Sequence, residues 1–459
     1  MSLNRRNLLK FGAISVAAAA TMTGCNKEAT PAKASDSSTA SAFAILGKHK
    51  VVVIGGGFGG LSVAKGLKKK DKSLDVLIIE KNETFMSCPY SNALLGKLDG
   101  VNLGTLTHDY AQPVEKHGYS MLHAEVTNID RATKQIYTTK GVVEYEILVL
   151  SPGIAYDYEN QFKSWDATKI EHIKRVAPGA LISGKEHVIL ERNLNDMEDG
   201  DVIITVPEGK FRCPPAPFER AAMIAAYMEK EDIEGKVIIL NPSAKIAKGA
   251  AFKESWEDLH GDRIEHMDYC KITDVDPITK TVTYLDTSDD DDKAVLKTIK
   301  YEVLNLIPNN KANPVITMSG VETSTVFGKV VMNGCSFQTK TDPDIYAVGD
   351  VVGHAIPPSG QTANWAAKQC ADEIINRLGG KSYALPVKTS TIKAANVCYS
   401  LVGDKPKEAI FVTHDFTWNG TVIKGKGHVP KAPSGKFRSA SNAKATRDWY
   451  NGIMRDLFA

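Results

Sequence analysis

His49-Lys50-Val51-Val52-Val53-Ile54-Gly55-Gly56-Gly57-Phe58-Gly59-Gly60-Leu61 is the stretch that decides the fold of this chain. The run His49 to Ile54 is apolar and β-branched, the pattern of a strand buried on both faces of a parallel sheet. Gly55, Gly57 and Gly60 then fit G-x-G-x-x-G, and Leu61 to Lys68 predicts a helix. Gly55 permits the tight turn, Gly57 lets a pyrophosphate approach the backbone, and Gly60 allows close packing of helix on strand. The helix N-terminus adds N–H donors and partial positive charge for phosphates. A second strand, Asp75-Val76-Leu77-Ile78-Ile79, ends at Glu80, where a carboxylate accepts from ribose hydroxyls and repels a 2′-phosphate. Any one of these features is weak alone. In sequence they predict a dinucleotide site.

Far downstream, Thr341-Asp342-Pro343-Asp344-Ile345-Tyr346-Ala347-Val348-Gly349-Asp350 resembles the second FAD fingerprint of flavoproteins with two dinucleotide domains. By that resemblance Asp350 is aimed at the ribityl chain, and FAD is favoured over NAD. A helix is expected near Gln361, after Pro357-Pro358-Ser359-Gly360, with its N-terminus able to stabilise negative charge on a reduced flavin. Ser151-Pro152-Gly153 matches the turn where such chains leave the FAD domain. The expected fold is α/β. Two Rossmann-like domains are predicted, the FAD domain (47–160 and 312–388) being split by the second (161–311), with a small α+β domain at 389–459.

The inserted domain repeats the architecture with a different turn. Asp201 to Val206 and Val237 to Leu240 read as buried strands, with a helix from about Pro217 to Glu229 between them. The strand-to-helix turn is Pro207-Glu208-Gly209-Lys210-Phe211-Arg212-Cys213-Pro214-Pro215-Ala216-Pro217, without G-x-G-x-x-G. Its prolines and Cβ atoms obstruct a pyrophosphate, and Asn241-Pro242 ends the second strand with no acid for a ribose. NAD(P)H is not the expected electron donor.

The 459 residues carry 56 Lys and Arg against 54 Asp and Glu, a balance that supports neither a nucleic-acid binder nor a polybasic membrane-surface protein. Three of the positive charges, Arg5, Arg6 and Lys10, precede a short apolar stretch from Phe11 to Met22. Paired arginines there resemble a twin-arginine export signal over residues 1–25, which implies a periplasmic protein. Met22-Thr23-Gly24-Cys25 resembles a lipobox, with Cys25 as the possible lipid anchor, and residues 26–46 read as a flexible tether. Asp289 to Asp292 reads as a solvated hairpin tip rather than a calcium loop, and no metal site is expected. His354, beside the flavin segment, reads as a surface histidine, with tuning of the flavin ring as the alternative. Trp449, Tyr450, Ile453, Met454, Leu457 and Phe458 form an apolar helical face, for packing or for covering a pocket.

Seven cysteines include no C-x-x-C, so a c-type haem attachment site is absent from the chain. Cys88 lies just past the second FAD strand. Cys213 lies at the turn before the inserted domain's helix, whose N-terminus is expected to lower a thiol pKa. Cys335 shortly precedes the strand ending at Asp350. Cys270, Cys370 and Cys398 read as inert core thiols. In an exported chain, Cys213 and Cys335 could equally form a structural disulfide.

Ser87-Cys88-Pro89-Tyr90-Ser91-Asn92, Phe211 to Ala221, Val303 to Pro308, Val397-Cys398-Tyr399-Ser400 and Trp449-Tyr450-Asn451 together resemble the flavoprotein subunit of flavocytochrome c sulfide dehydrogenase. The resemblance implies covalent FAD on Cys88 and a redox-active Cys213–Cys335 pair attacked by hydrosulfide. It also implies that a separate c-type cytochrome subunit accepts the electrons. By residue type, Glu219, one and a half turns into the helix after Cys213, is placed to take or hold the proton of H2S, the alternative being a solvated helix carboxylate paired with Arg220 or a lysine. Three rivals are a sulfide:quinone oxidoreductase, an NADH-dependent thiol or CoA-disulfide reductase, and a non-catalytic flavin-bearing partner of a cytochrome.

Overall fold

The structure is a computed structural model, and it describes residues 44–287, 294–325, 327–381 and 391–459. The export signal, Cys25, most of the tether and the Asp289–Asp292 tip lie outside the described residues. The tether's expected end at residue 46 runs over into ordered strand, which begins at Ile45.

Ile45–Ile54 pairs in parallel with Val76–Glu80 on one side and Gly141–Leu150 on the other, Val53 facing Ile78 and Val149. The 7-stranded sheet continues through Ser120–His123 at one side and Gln135–Thr138 and Val126–Asp130 at the other. Ile345–Ala347, from the far end of the chain, pairs in parallel with Leu148 to Leu150. Its period of two sorts the central strand. Val51 and Val53 face helices Phe58–Lys70, Gly360–Leu378 and Ala440–Phe458, while Val52 and Ile54 face the other core layer with Ile129, Ile136 and Val330.

A second parallel sheet has the order Ile264–Met267, Val237–Leu240, Val202–Thr205, Val303–Asn305. Helix Ala216–Lys230 covers it and buries Ala221, Met223, Ile224 and Ala225 completely. The chain ends in an antiparallel meander, Thr391–Asp404, Lys407–Trp418 and Ile423–His428, followed by helix Ala440–Phe458, whose N-cap Ser439 side chain accepts from Asn442 N. The sheet architecture is the α/β fold read from the sequence.

One side chain departs from expectation. His354 is buried, with Nε2 at 3.0 Å from the Ser336 carbonyl and Nδ1 accepting from Ile423 N at 3.2 Å. Burial pushes its pKa down to about 4, so it is a neutral core group and not a surface histidine. The apolar face of the last helix is core as well: Tyr450, Ile453, Met454, Leu457 and Phe458 join the cluster under the first sheet. Trp449 stays half-buried and donates Nε1–H to Gln361 Oε1 at 2.9 Å.

Candidate active site

The first strand-to-helix turn opens onto a cavity of about 870 Å³. A Cβ on Gly55, at φ +105°, would stand 2.2 Å from the Ser151 carbonyl oxygen, and one on Gly60 would stand 1.8 Å from Gly55 O. Those two positions are closed by the chain itself. A Cβ on Gly57 meets nothing within 4 Å, because that position faces the cavity. The space a phosphate needs is therefore present at the one glycine where the motif requires it. Glu80 braces the turn, accepting from Gly56 N at 2.7 Å and, through its other oxygen, from Asn82 N at 2.8 Å. At the other end of the cavity, helix Gly360–Leu378 begins with Ser359 Oγ accepting from Thr362 N at 3.2 Å, and Gln361 lines the wall. Asp350 sits on the turn Gly349–Val351 and accepts from Arg212 Nε at 2.6 Å. A cavity of this size with a phosphate turn, a carboxylate for sugar hydroxyls and a helix N-terminus fits FAD in volume and donor chemistry. Gly55, Gly57, Glu80, Asp350 and Gln361 thus frame one space, while Gly60 stands behind the turn and packs helix against strand without lining it. Sequence reading missed Arg212, which ties the turn of the inserted domain to Asp350.

Cys88, Cys213 and Cys398 all line this cavity. Cys88 follows the short strand Thr84–Met86 and precedes Tyr90, which takes φ 73°. Burial raises the Cys88 thiol pKa, opposed by the nearby guanidinium groups of Arg212 and Arg220. Cys213 also takes a left-handed conformation, φ 53°, and donates its N–H to Pro358 O at 2.9 Å. Burial pushes its thiol well above the usual range. The expectation that the helix N-terminus lowers it is overturned, because desolvation and the neighbouring negative groups outweigh the dipole. The charge that acts most strongly on Cys213 is that of Cys398. Cys398 is on strand Thr391–Asp404, its carbonyl accepting from Lys248 Nζ at 2.8 Å with its Sγ 3.7 Å from that ammonium.

Cys335, expected to partner Cys213, does not line the cavity, and its neighbour Phe337 donates N–H to Glu373 Oε2 at 2.8 Å. Glu373 lies about 20 Å along its helix from the cavity end, at 1.5 Å per residue. The segment around Gln338 folds back antiparallel to Tyr346 and carries Cys335 to the flank of that helix. Proximity to Asp350 in sequence therefore misled. Cys398, read as an inert core thiol, lines the cavity together with Cys213; its position in Val397-Cys398-Tyr399-Ser400, one of the segments of the family resemblance, was the signal that could have found it.

Glu219 is buried in the first turn of helix Ala216–Lys230, nearer the helix start than expected, and also lines the cavity. Its Oε1 accepts from Leu401 N at 3.0 Å, and the nearby side chains of Asn92 and Ser400 favour its charged form. Burial raises its pKa above the ordinary carboxylate range. It is not a solvated partner of Arg220. That guanidinium, fully buried, donates to Asn305 Oδ1 at 2.6 Å, Asn92 Oδ1 at 3.0 Å and the carbonyls of Gly179 and Ala180. In the inserted domain's turn, a Cβ on Gly209 would stand 2.2 Å from the Phe327 ring, so side chain already fills that approach. Among the described residues, no group of three or more His, Cys, Asp or Glu could hold a metal, and no helix is long and apolar enough to cross a membrane.

Residues 187–308 match the family description "sulfide dehydrogenase (flavocytochrome c) flavoprotein chain, central", and residues 391–458 match "flavocytochrome c sulphide dehydrogenase, flavin-binding". Residues 49–164 match the pyridine nucleotide-disulphide oxidoreductase family. The chain is 52% identical over 48 residues, 10% of its length, to the sulfide dehydrogenase (flavocytochrome c) flavoprotein chain of Chlorobaculum thiosulfatiphilum, covering 100% of that sequence. It is 24% identical to the mitochondrial sulfide:quinone oxidoreductase of Mus musculus over 325 residues, 70% of this chain and 69% of the relative. Its fold is similar to the sulfide:quinone oxidoreductase of Aquifex aeolicus, TM-score 0.65 at 16% identity, covering 89% of this chain and 91% of that one. It is likewise similar to NDH2 of Plasmodium falciparum, TM-score 0.61 at 12% identity, covering 90% and 95%. The chain belongs to the flavoprotein chains of the flavocytochrome c sulfide dehydrogenase family.

Proposed function

We propose that this protein is an FAD-dependent sulfide dehydrogenase that oxidises hydrosulfide through a Cys213–Cys398 disulfide and passes the electrons to a c-type cytochrome. The observation that carries the reading is the convergence of Cys213, Cys398 and Glu219 on one wall of the dinucleotide cavity, with Lys248 hydrogen-bonded to Cys398. FAD, when bound, takes electrons in pairs and releases them singly, which suits a haem acceptor. Gly57, Glu80 and Asp350 would hold it, and Cys88 is the candidate covalent anchor.

The residues' own part follows from their chemistry. Hydrosulfide attacks one sulfur of the disulfide, leaving a persulfide on one cysteine and a thiolate on the other. Glu219, its pKa raised by burial, takes the proton as H2S becomes the nucleophile. Asn92 and Ser400 favour its carboxylate form. With no C-x-x-C in this chain, the haem would sit on a separate subunit. We place the protein in the periplasm by the twin-arginine pair Arg5-Arg6, with Cys25 as a candidate lipid site. A quinone acceptor is the second reading, favoured by the likeness to the mouse enzyme. Against it stands the last helix, whose apolar face is spent on the protein's own core.

The test is an anaerobic titration of flavin absorbance with sulfide, with NADH in parallel and a c-type cytochrome or a quinone as acceptor. Sulfide is expected to bleach the flavin and NADH not. Cys213→Ser and Cys398→Ser should each slow sulfide-dependent reduction by at least ~10³-fold, as removal of a catalytic nucleophile does. Bleaching by NADH alone sinks the assignment, and reoxidation by quinone but not cytochrome moves it to the second reading.

A further inference from the structure

Lys248 stands at the N-cap of helix Gly249–His260 in a left-handed backbone conformation, φ 61° and ψ 32°, an uncommon state for a lysine. Its carbonyl accepts from Ala251 N at 2.9 Å and Phe252 N at 3.1 Å, which anchors the residue to that helix. The ammonium leaves its own helix and reaches strand Thr391–Asp404. It donates to Cys398 O at 2.8 Å and Ser400 Oγ at 2.9 Å, and lies 3.7 Å from Cys398 Sγ. Ser400 also lies close enough to Glu219 to favour its carboxylate, so hydroxyl, carboxyl and ammonium cluster beside the thiol. Among the described residues, no carboxylate forms a direct ion pair with Lys248.

The two sulfurs are therefore not equivalent. Around Cys213 the strongest charges are Cys398, Cys88 and Glu219, all negative when ionised, with Lys248 acting more weakly. Around Cys398 the strongest charge is the Lys248 ammonium, which also hydrogen-bonds the sulfur, and Glu219 opposes it. The paired strand brings His414 within the field of Lys248, but burial pushes that imidazole down to about 4, so it is neutral.

We infer that Lys248 is a positioning residue that makes Cys398 the departing sulfur and so directs hydrosulfide onto Cys213. This rests on the Cys213–Cys398 reading above. In thiol–disulfide exchange the sulfur better able to carry negative charge leaves faster. The hydrosulfide electron pair forms a new bond to Cys213 Sγ, the Cys213–Cys398 bond breaks, and its pair remains on Cys398 as a thiolate held by the Lys248 ammonium. Cys213 becomes the persulfide, and no electron leaves the three sulfur atoms in this step.

The experiment has two arms, on holoprotein that retains its flavin spectrum. In the first, reduced wild type, Lys248→Met, Lys248→Gln and Lys248→Arg are alkylated with iodoacetamide across a pH series, and the Cys398 and Cys213 peptides are followed by mass spectrometry. Cys398 is expected to react with a lower midpoint than Cys213 in wild type. Loss of the charge in the Met or Gln variant should raise the Cys398 midpoint by about one pH unit, and Arg should restore most of it. In the second arm, oxidised wild type is exposed briefly to sulfide and then alkylated, and the persulfide is expected on the Cys213 peptide. A Cys398 midpoint unmoved in both neutral variants overturns the role of Lys248, as does a persulfide on Cys398. A persulfide on neither cysteine overturns the reading of the pair itself and this inference with it, an outcome separate from the first arm because alkylation needs no sulfide.

Discussion

The molecule contains two strand–turn–helix units of the same kind, and they do opposite things with the turn. After Ile45–Ile54 the turn is glycine, and at Gly57 it leaves open space at the mouth of helix Phe58–Lys70. After Val202–Thr205 the turn is proline-rich, Phe327 packs against Gly209, and Cys213 is fixed at φ 53° by its bond to Pro358. Both place a helix N-terminus against the same cavity. One offers backbone N–H groups to a ligand, and the other offers a side-chain sulfur. The difference shows that the parallel βαβ frame specifies where chemistry occurs, while the turn residues specify which chemistry.

The comparison can be broken hardest at the glycine turn. Gly60→Ala forces a methyl to 1.8 Å from Gly55 O and should cost more than ~3 kcal/mol, seen as loss of soluble folded protein. Gly57→Ala meets no protein atom, so it should fold with an unchanged circular dichroism spectrum while flavin content per chain falls severalfold. Equal behaviour of the two variants would remove the distinction between a packing glycine and a ligand glycine.

A smaller effect is expected at Glu219. Its carboxylate is the form that accepts a proton, and burial raises its pKa, so sulfide-dependent flavin reduction should fall as pH drops through a value above the ordinary carboxylate range. Glu219→Gln should lower the rate by roughly 10²-fold and flatten that acid limb. A limb that survives in the variant assigns the proton elsewhere.

The smallest effect sharpens the assignment of the second turn's partner. Cys335→Ser should leave sulfide-dependent reduction within about twofold of wild type, since Cys335 lies outside the cavity. A loss as large as that of Cys398→Ser would return Cys335 to the chemistry.

Much of the site was legible because it is local. The glycine spacing, Glu80 at the end of its strand, Asp350, the helix at Gln361 and the cysteines beside strand ends all follow from a few neighbouring residues whose geometry the chain dictates. Glu219 was legible for the same reason, lying on the helix that Cys213 precedes. What failed were statements of partnership. Cys335 was placed by nearness to Asp350 in sequence, yet a fold-back at Gln338 turns it to the flank of helix Gly360–Leu378. His354 was read as exposed because nothing local shows that Ser336 and Ile423 close over it. Arg212 stood within the Phe211 to Ala221 resemblance with no role of its own, and Lys248 carried no recognisable motif at all.

The sequence by itself determined the α/β frame, the dinucleotide turn and the absence of a second one, since strand periodicity and glycine conformation are properties of short segments. Only the tertiary structure decided that Cys213 and Cys398 line one cavity, that Glu219 is desolvated, and that Lys248 reaches across to the Cys398 sulfur. Those groups come from the inserted domain and the C-terminal meander, about 150 residues and more apart in the chain. Their meeting depends on how separate cores pack, and burial there reverses what local electrostatics predicts, as the raised Cys213 thiol shows.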